Sequence, residues 1–321
     1  MASPFDIEEI YPDDGEAPPR LPRRQTGASP QGLAVTLLAD YTVHSRAALP
    51  SAAVVALLGE SGVTSAGART AISRLARRGV LEGSRRGRHS AYRLSSAAAA
   101  NLCAGGRWIL TATTATPWDG CWTVVAFSLP QDRAAQRRAL RGQLRWLGCA
   151  PLYDGLWISP YELGPAARSR LAPLADGAVT VFRGRQAAAD LLGQRAPIEA
   201  WDLAAIRRQY ETFLRRWTPL AGRSSSPGGA EAVRARTEVM DTFRRFPTLD
   251  PRLPLELLPA DWPRQAAREL FTAVYDGLAG PAERHVRDVV ARFTDDVPDG
   301  IRAHATSDLL AGAEGIACAA E

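Results

Sequence analysis

The sequence predicts an α+β chain of several domains: a helical module closed by a β-hairpin, a small α/β sandwich and a helical C-terminal domain. Three observations predict it. Between Ser65 and Leu94 a helical period gives way to two short β-forming runs. From Trp118 to Arg183 strand-like and helix-like patterns alternate. Beyond Ala200 the apolar residues recur at helical spacing.

The elements follow in order. Residues 1–30 begin acidic (Asp6, Glu8, Glu9, Asp13, Asp14, Glu16), turn basic and show no apolar period, which reads as a disordered arm. Residues 33–41 and 51–60 each read as a helix with an apolar face. Ser65 then serves as an N-cap, and Ala68, Ala71, Ile72 and Leu75 fall at i, i+3, i+4 and i+7, one stripe of a third helix. Gly79 stops it. Val80-Leu81-Glu82 and Ala91-Tyr92-Arg93-Leu94 read as strands joined by residues 83–90. Helix, helix, helix, hairpin is a winged helix-turn-helix, spanning 31–95.

That module concentrates positive charge. Eight arginines (Arg69, Arg74, Arg77, Arg78, Arg85, Arg86, Arg88, Arg93) stand against one acid, Glu82. At about 100° per residue, Thr70, Ser73 and Arg77 lie opposite the apolar stripe, with Arg69 and Arg74 on its flanks. A helix narrow enough for a major groove, flanked by a cationic wing, is a means of reading duplex DNA. Arg69, Thr70 and Ser73 are the candidates for base edges. Arg74, Arg77, Arg78, Arg85, Arg86, Arg88 and His89 are the candidates for phosphates, which position without reading sequence; His89 reads equally well as an ordinary loop histidine. The competing readings are a solvated surface helix and a wing that holds an acidic protein.

Composition narrows the classes. The formal charge is +5 over 321 residues, so the positive charge is local rather than general. All 39 basic residues are arginine, a pattern that GC-rich coding explains without phosphate binding. Cys103, Cys121, Cys149 and Cys318 are too scattered for a zinc motif and too few for a disulfide framework. With no signal-like segment and no apolar run near ~18 residues, the expectation is a soluble, cytoplasmic protein without a cofactor.

The middle domain, 96–198, is expected to carry a buried strand at 122–127, an amphipathic helix at 132–147, a strand at 156–159, a helix at 165–174 and a strand at 178–183. This alternation implies a ferredoxin-like sandwich. Residues 199–293 form the helical domain, with helices at 203–217, 232–246 and 263–278 and a Gly/Ser-rich break at 221–230. Residues 294–321 turn acidic and small, and read as a flexible tail. Most tryptophans are expected in cores rather than stacked on a ligand.

Four segments in this order carry a resemblance: Arg69-Thr70-Ala71-Ile72-Ser73-Arg74-Leu75; Trp118-Asp119-Gly120-Cys121-Trp122; Arg145-Trp146-Leu147-Gly148 followed by Gly155-Leu156-Trp157-Ile158-Ser159-Pro160; and Leu253-Pro254-Leu255-Glu256-Leu257-Leu258-Pro259-Ala260-Asp261-Trp262-Pro263. Over about residues 31–290 the chain resembles the PaaX family, repressors of phenylacetic acid catabolism and their relatives. The resemblance implies a homodimeric repressor that binds an inverted-repeat DNA operator and is released by a small effector, phenylacetyl-CoA or another aryl-CoA thioester. Arg236, Arg244, Arg245 and Trp262 are the candidate effector residues. Where relatives carry His-Glu-aromatic-Arg, this chain has Asp241-Thr242-Phe243-Arg244, a carboxylate in place of the histidine.

The middle domain is also similar to small CRISPR-associated metal-dependent nucleases, which supplies an enzymatic alternative. That chemistry needs a carboxylate at the end of the first strand to hold a divalent ion. The chain has Ser128-Leu129-Pro130 there and no acid until Asp132, so a non-enzymatic regulator is the expected function.

Overall fold

The structure, a computed structural model, describes residues 29–86, 89–111, 117–186, 195–221, 227–250 and 253–311. The N-terminal arm and Arg88 therefore lie outside the described residues. Helix α1 (Pro30–Thr42) opens at Ser29, whose Oγ accepts from the Gly32 N–H at 3.0 Å, with Pro30 at the first position, where a missing N–H costs nothing. A two-residue strand β1 (Leu49–Pro50) leads into α2 (Ser51–Glu60), and α3 (Ser65–Arg77) follows a short turn. The N-cap of α3 is Thr64 rather than Ser65: its Oγ1 accepts from Gly67 N–H at 3.1 Å. Thr64→Ala is expected to cost about 1 kcal/mol, read as a lower urea midpoint with an unchanged m-value.

Strands β2 (Leu81–Arg86) and β3 (His89–Leu94) pair from Leu81↔Leu94 out to Arg86↔His89, so most of what reads as a connection is strand. The first sheet has the order β1-β3-β2. Next come α4 (Ser96–Thr111) and β4 (Trp122–Phe127). They are followed by α5 (Ala134–Trp146), β5 (Ala150–Tyr153), β6 (Leu156–Ser159), α6 (Pro165–Ala175) and β7 (Val179–Gly184). The second sheet is antiparallel throughout, in the order β5-β6-β4-β7. The remainder is helical: α7 (Leu203–Ala221), α8 (Gly229–Phe243), α9 (Phe246–Leu249), α10 (Arg264–Gly277), α11 (Ala279–Ala291) and α12 (Thr306–Ala311).

By contact the chain divides into two compact units, a coarser division than the five segments read from the sequence. One is Met1–Ala112 with Thr212–Phe246 and Gln265–Glu321; the other is Thr113–Glu211 with Pro247–Arg264. In the first unit Leu38, Leu49, Leu57, Ile72, Leu75, Val80 and Leu94 bury the inner faces of α1–α3 and the hairpin. Most of the C-terminal helical residues belong to the same unit, where Tyr275 Oη donates to Asp40 of α1 at 2.7 Å and an aromatic stack runs among the helices themselves. Phe243 and Phe271 lie parallel with centroids 4.1 Å apart, and Phe271 continues onto Tyr275 at 5.2 Å.

The segment after α11 departs from the expected flexible tail. Ile301, Ala303 and His304 are buried, and the N–H groups of Arg302 and His304 donate to the carbonyls of Tyr41 and Asp40 at 3.0 and 3.1 Å. Helix α1 otherwise ends with those carbonyls unpaired, so the segment completes it. Farther on, Gly106 of α4 lets Leu309 of α12 approach; a Cβ there would meet Leu309 Cδ2 at 3.0 Å.

In the second unit α5 and α6 bury one face of the sheet through Val125, Phe127, Trp157, Leu140, Leu144 and Leu171. As expected, Trp122, Trp157, Trp201, Trp217 and Trp262 are buried.

Candidate nucleic-acid interface

Helices α2 and α3 are joined by residues 61–64. Gly62 takes φ +82°, and the Ser61 and Val63 N–H groups both return to the Leu58 carbonyl at 3.1 Å. A four-residue bend containing a left-handed glycine turns the chain sharply between two helices. Ala68, Ala71, Ile72 and Leu75 of α3 then pack inward. The far end closes as the sequence predicts. Gly79 (φ +72°) donates to the Ala76 carbonyl and Val80 to the Leu75 carbonyl, each at 3.0 Å.

With that stripe buried, Arg69, Thr70, Ser73, Arg74 and Arg77 are all exposed on the opposite face. The described residues place no carboxylate in ion-pair contact with Arg69, Arg74 or Arg77. Arg78 follows the helix half-buried, and Arg85 is exposed on β2. Arg86 and His89 close the hairpin register at its tip; their side chains are outside the described residues.

The one acid of this segment is already occupied. Glu82 Oε2 accepts from Arg46 at 3.0 Å and from Arg93 at 2.9 Å. Arg93 is thus withdrawn from the cationic set, and the acid no longer offsets the others. Arg46 was not singled out from the sequence. It occupies φ +50°, unusual for a residue with a side chain, and its Nε also donates to the Leu94 carbonyl at 3.0 Å. It fastens the bend after α1 to the base of the hairpin. On the inner side, His285 of α11 shares its Nε2 with both Glu60 oxygens, at 3.0 and 2.9 Å, anchoring the end of α2.

Of the four candidate effector residues, Arg236, Arg244 and Arg245 lie in the first compact unit. Arg236 is fully buried; its two terminal nitrogens donate to the carbonyls of Tyr275 and His304, and its guanidinium lies 3.6 Å from the Tyr275 ring centroid. Burial also pushes the neighbouring Asp40 carboxyl up and holds the His304 imidazole down to about 3. A ligand reaching Arg236 would have to displace core. Arg244 and Arg245 are both engaged by Asp241, the carboxylate that departs from the family pattern. Trp262 belongs to the other compact unit, where its Nε1 donates to Asp250 at 3.0 Å.

Among the described residues no helix is long and apolar enough to cross a membrane. Comparison with known proteins returns three matches in the order of the chain. Residues 29–98 match PaaX-like protein, 115–194 the PaaX protein central Cas2-like domain, and 201–288 the PaaX-like protein C-terminal domain. The transcriptional repressor PaaX of Escherichia coli is 29% identical over 273 residues, covering 82% of this chain and 84% of that protein. Among solved structures, the uncharacterized protein Rv0674 from Mycobacterium tuberculosis matches with a TM-score of 0.56 at 21% identity. It covers 83% of this chain and all of that one, a likeness of fold. Three segments in one order, spanning α1–α3 and the hairpin, the second sheet and the C-terminal helices, leave one assignment: the chain belongs to the PaaX family.

Proposed function

We propose that this chain is a transcriptional repressor, not an enzyme, that binds an inverted-repeat DNA operator as a homodimer and is released by a small effector. The carrying observation is the exposed face of α3, where Arg69, Thr70 and Ser73 stand beside Arg74 and Arg77, and among the described residues no carboxylate pairs with these arginines. In this reading α1–α3 and the hairpin are a winged helix-turn-helix, and residues 122–184 a ferredoxin-like domain with the strand–helix order β-α-β-β-α-β. Two α3 helices related by a two-fold axis enter major grooves about one turn, ~10–10.5 bp, or a multiple apart.

Arg69→Ala is expected to relax base preference at one position by about 1–3 kcal/mol. Arg77→Ala is expected instead to weaken binding to every sequence and lower the salt slope by about 1. Footprinting of the upstream region and salt titration of both variants check this. Loss of base preference in Arg77→Ala alone would reverse the assignment.

The effector proposed is an aryl-CoA thioester, with Arg244 and Arg245 meeting its phosphates. Such a ligand must outcompete Asp241, and it acts only through different affinities for the DNA-binding and released states. Arg236 is left out because its donors are committed within the core. Footprinting with a panel of CoA thioesters tests this part separately.

A further inference from the structure

The bend between α1 and β1 holds a backbone that its residue does not favour. Arg46 takes φ +50°, with its N–H donating to the Thr42 carbonyl at 2.7 Å. Among the described residues one other position with a side chain has a positive φ, Asp176 at the end of α6. Aspartate tolerates the left-handed region; arginine gains nothing local there, and glycine would hold the same turn without steric cost. A strained position that keeps a long side chain points to what that side chain does.

The Arg46 guanidinium engages the whole first sheet. β1 pairs with β3 at Leu49↔Tyr92 and Pro50↔Ala91, a register that would set Ala47 opposite Leu94. Ser95 N–H donates to the Val80 carbonyl, so Leu94 turns its own backbone groups away from β2 and toward β1. The Ala47 N–H goes instead to Ser45 Oγ at 3.2 Å, and the Leu94 carbonyl takes Arg46 Nε at 3.0 Å. The side chain thus supplies the rung that a two-residue strand is too short to make. Its terminal nitrogen then reaches Glu82 of β2 at 3.0 Å, on the oxygen that Arg93 of β3 meets at 2.9 Å.

This clasp sits at the base of a lever. β1 supports β3 at Ala91 and Tyr92, while β2 and β3 run on together to Arg86↔His89. Four residues at ~3.4 Å each put the hairpin tip about 14 Å from Glu82. Ser84 and Arg85 are exposed along that length. A ribbon anchored at its base turns a small tilt there into an ångström-scale displacement at its tip, enough to break a phosphate contact.

We propose that Arg46 is the positioning residue of the wing: by fastening β1, β2 and β3 together it sets the angle at which the hairpin meets the DNA backbone beside the α3 site. The proposal rests on the DNA-reading module proposed above and adds to it a residue that itself touches no DNA. It accounts for the strained bend, since glycine would relax the turn and lose the clasp. It also accounts for an acid in a cationic segment, since Glu82 is the far anchor.

Arg46→Gly and Glu82→Ala separate this role from charge and from folding. Glycine keeps the left-handed turn, so Arg46→Gly is expected to retain its urea midpoint. In hydroxyl-radical footprints on a duplex from the upstream region, Arg46→Gly should keep the protected core and its base preference. It should lose protection of the flanking phosphates, with affinity about tenfold lower. Glu82→Ala removes an acid beside the duplex, which by charge alone would tighten binding to every sequence. Here it is expected to weaken binding and to lose the same flanks. Flanks intact in Arg46→Gly, or tighter binding by Glu82→Ala with its flanks intact, overturns the Arg46 assignment and leaves the winged-helix reading standing. So does a lowered urea midpoint in Arg46→Gly with core and flanks weakened together, which assigns Arg46 to folding alone. An unaltered protein that protects no duplex, or protects one without flanks, overturns both.

Discussion

Asp250→Ala is expected to destabilise the second unit by about 3–5 kcal/mol, the cost of breaking a buried ion pair from one side. The Asp250 carboxylate is enclosed by donors: Tyr210 Oη and Trp262 Nε1 at 3.0 Å each, Arg264 Nε at 2.8 Å and a terminal Arg264 nitrogen at 2.6 Å. Its side chain is 0% exposed and that of Arg264 3%, so removing the carboxylate strands a guanidinium that water cannot reach. Arg264 also donates to the Leu253 carbonyl at 2.9 Å, which ties the start of the Leu253–Pro263 signature to the same point. Urea unfolding followed by a probe in this unit measures the loss. Asp250→Asn keeps the shape but not the charge and is expected to fall between Ala and the unaltered protein. Pairing Asp250→Leu with Arg264→Met removes both charges and is expected to recover part of the stability. A cost below about 1 kcal/mol for Asp250→Ala would mean the pair is solvated rather than enclosed.

Arg236→Ala is expected to cost a similar amount, about 3–5 kcal/mol, in the first unit. The change leaves the carbonyls of Tyr275 and His304 unpaired, opens a cavity and removes the cation stacked on Tyr275. Because residues 300–304 also supply the N–H groups that end α1, the loss should spread to the module of α1–α3 and the hairpin. Hydrogen exchange is expected to quicken at Arg302 and His304, and operator binding to weaken with it. An effector role makes the opposite forecast: normal stability, normal operator affinity and a raised effector requirement. The two accounts therefore part on a single denaturation curve.

Much of the module of α1–α3 and the hairpin was legible because its signals are local. The stripe Ala68-Ala71-Ile72-Leu75 and the stop at Gly79 are properties of thirteen consecutive residues and one left-handed glycine. Helix α6 and strands β4, β6 and β7 lie within a residue or two of where the alternation predicts them. The missed elements share a different property, weak contrast. Helix α4 is so rich in alanine and glycine that no apolar stripe stands out. Helix α11 carries Gly280 and Pro281, which read as breakers, yet a proline in the first turn has no intrahelical N–H bond to lose. Strand β5 is four residues long and contains Pro151, and β1 has only two residues, existing because β3 offers a partner.

The site divides in the same way. That α3 presents Arg69, Thr70, Ser73, Arg74 and Arg77 together follows from helical geometry alone, since burying one stripe dictates what the other side shows. That Glu82 is spent on Arg46 and Arg93 and that Arg236 is core could not follow from it, whereas Asp241 meets Arg244 and Arg245 at the i+3 and i+4 positions that helical spacing itself offers. A charged side chain looks the same in sequence whether it meets solvent, phosphate or a buried carbonyl. The amino-acid order by itself determined the periodic elements and their cationic face, because those depend on residues within a few positions of one another. Only the tertiary structure decided which charges stay available and that residues 300–304 finish α1. Those outcomes depend on partners tens to hundreds of positions away, chosen by burial and by the need to pair every enclosed polar group.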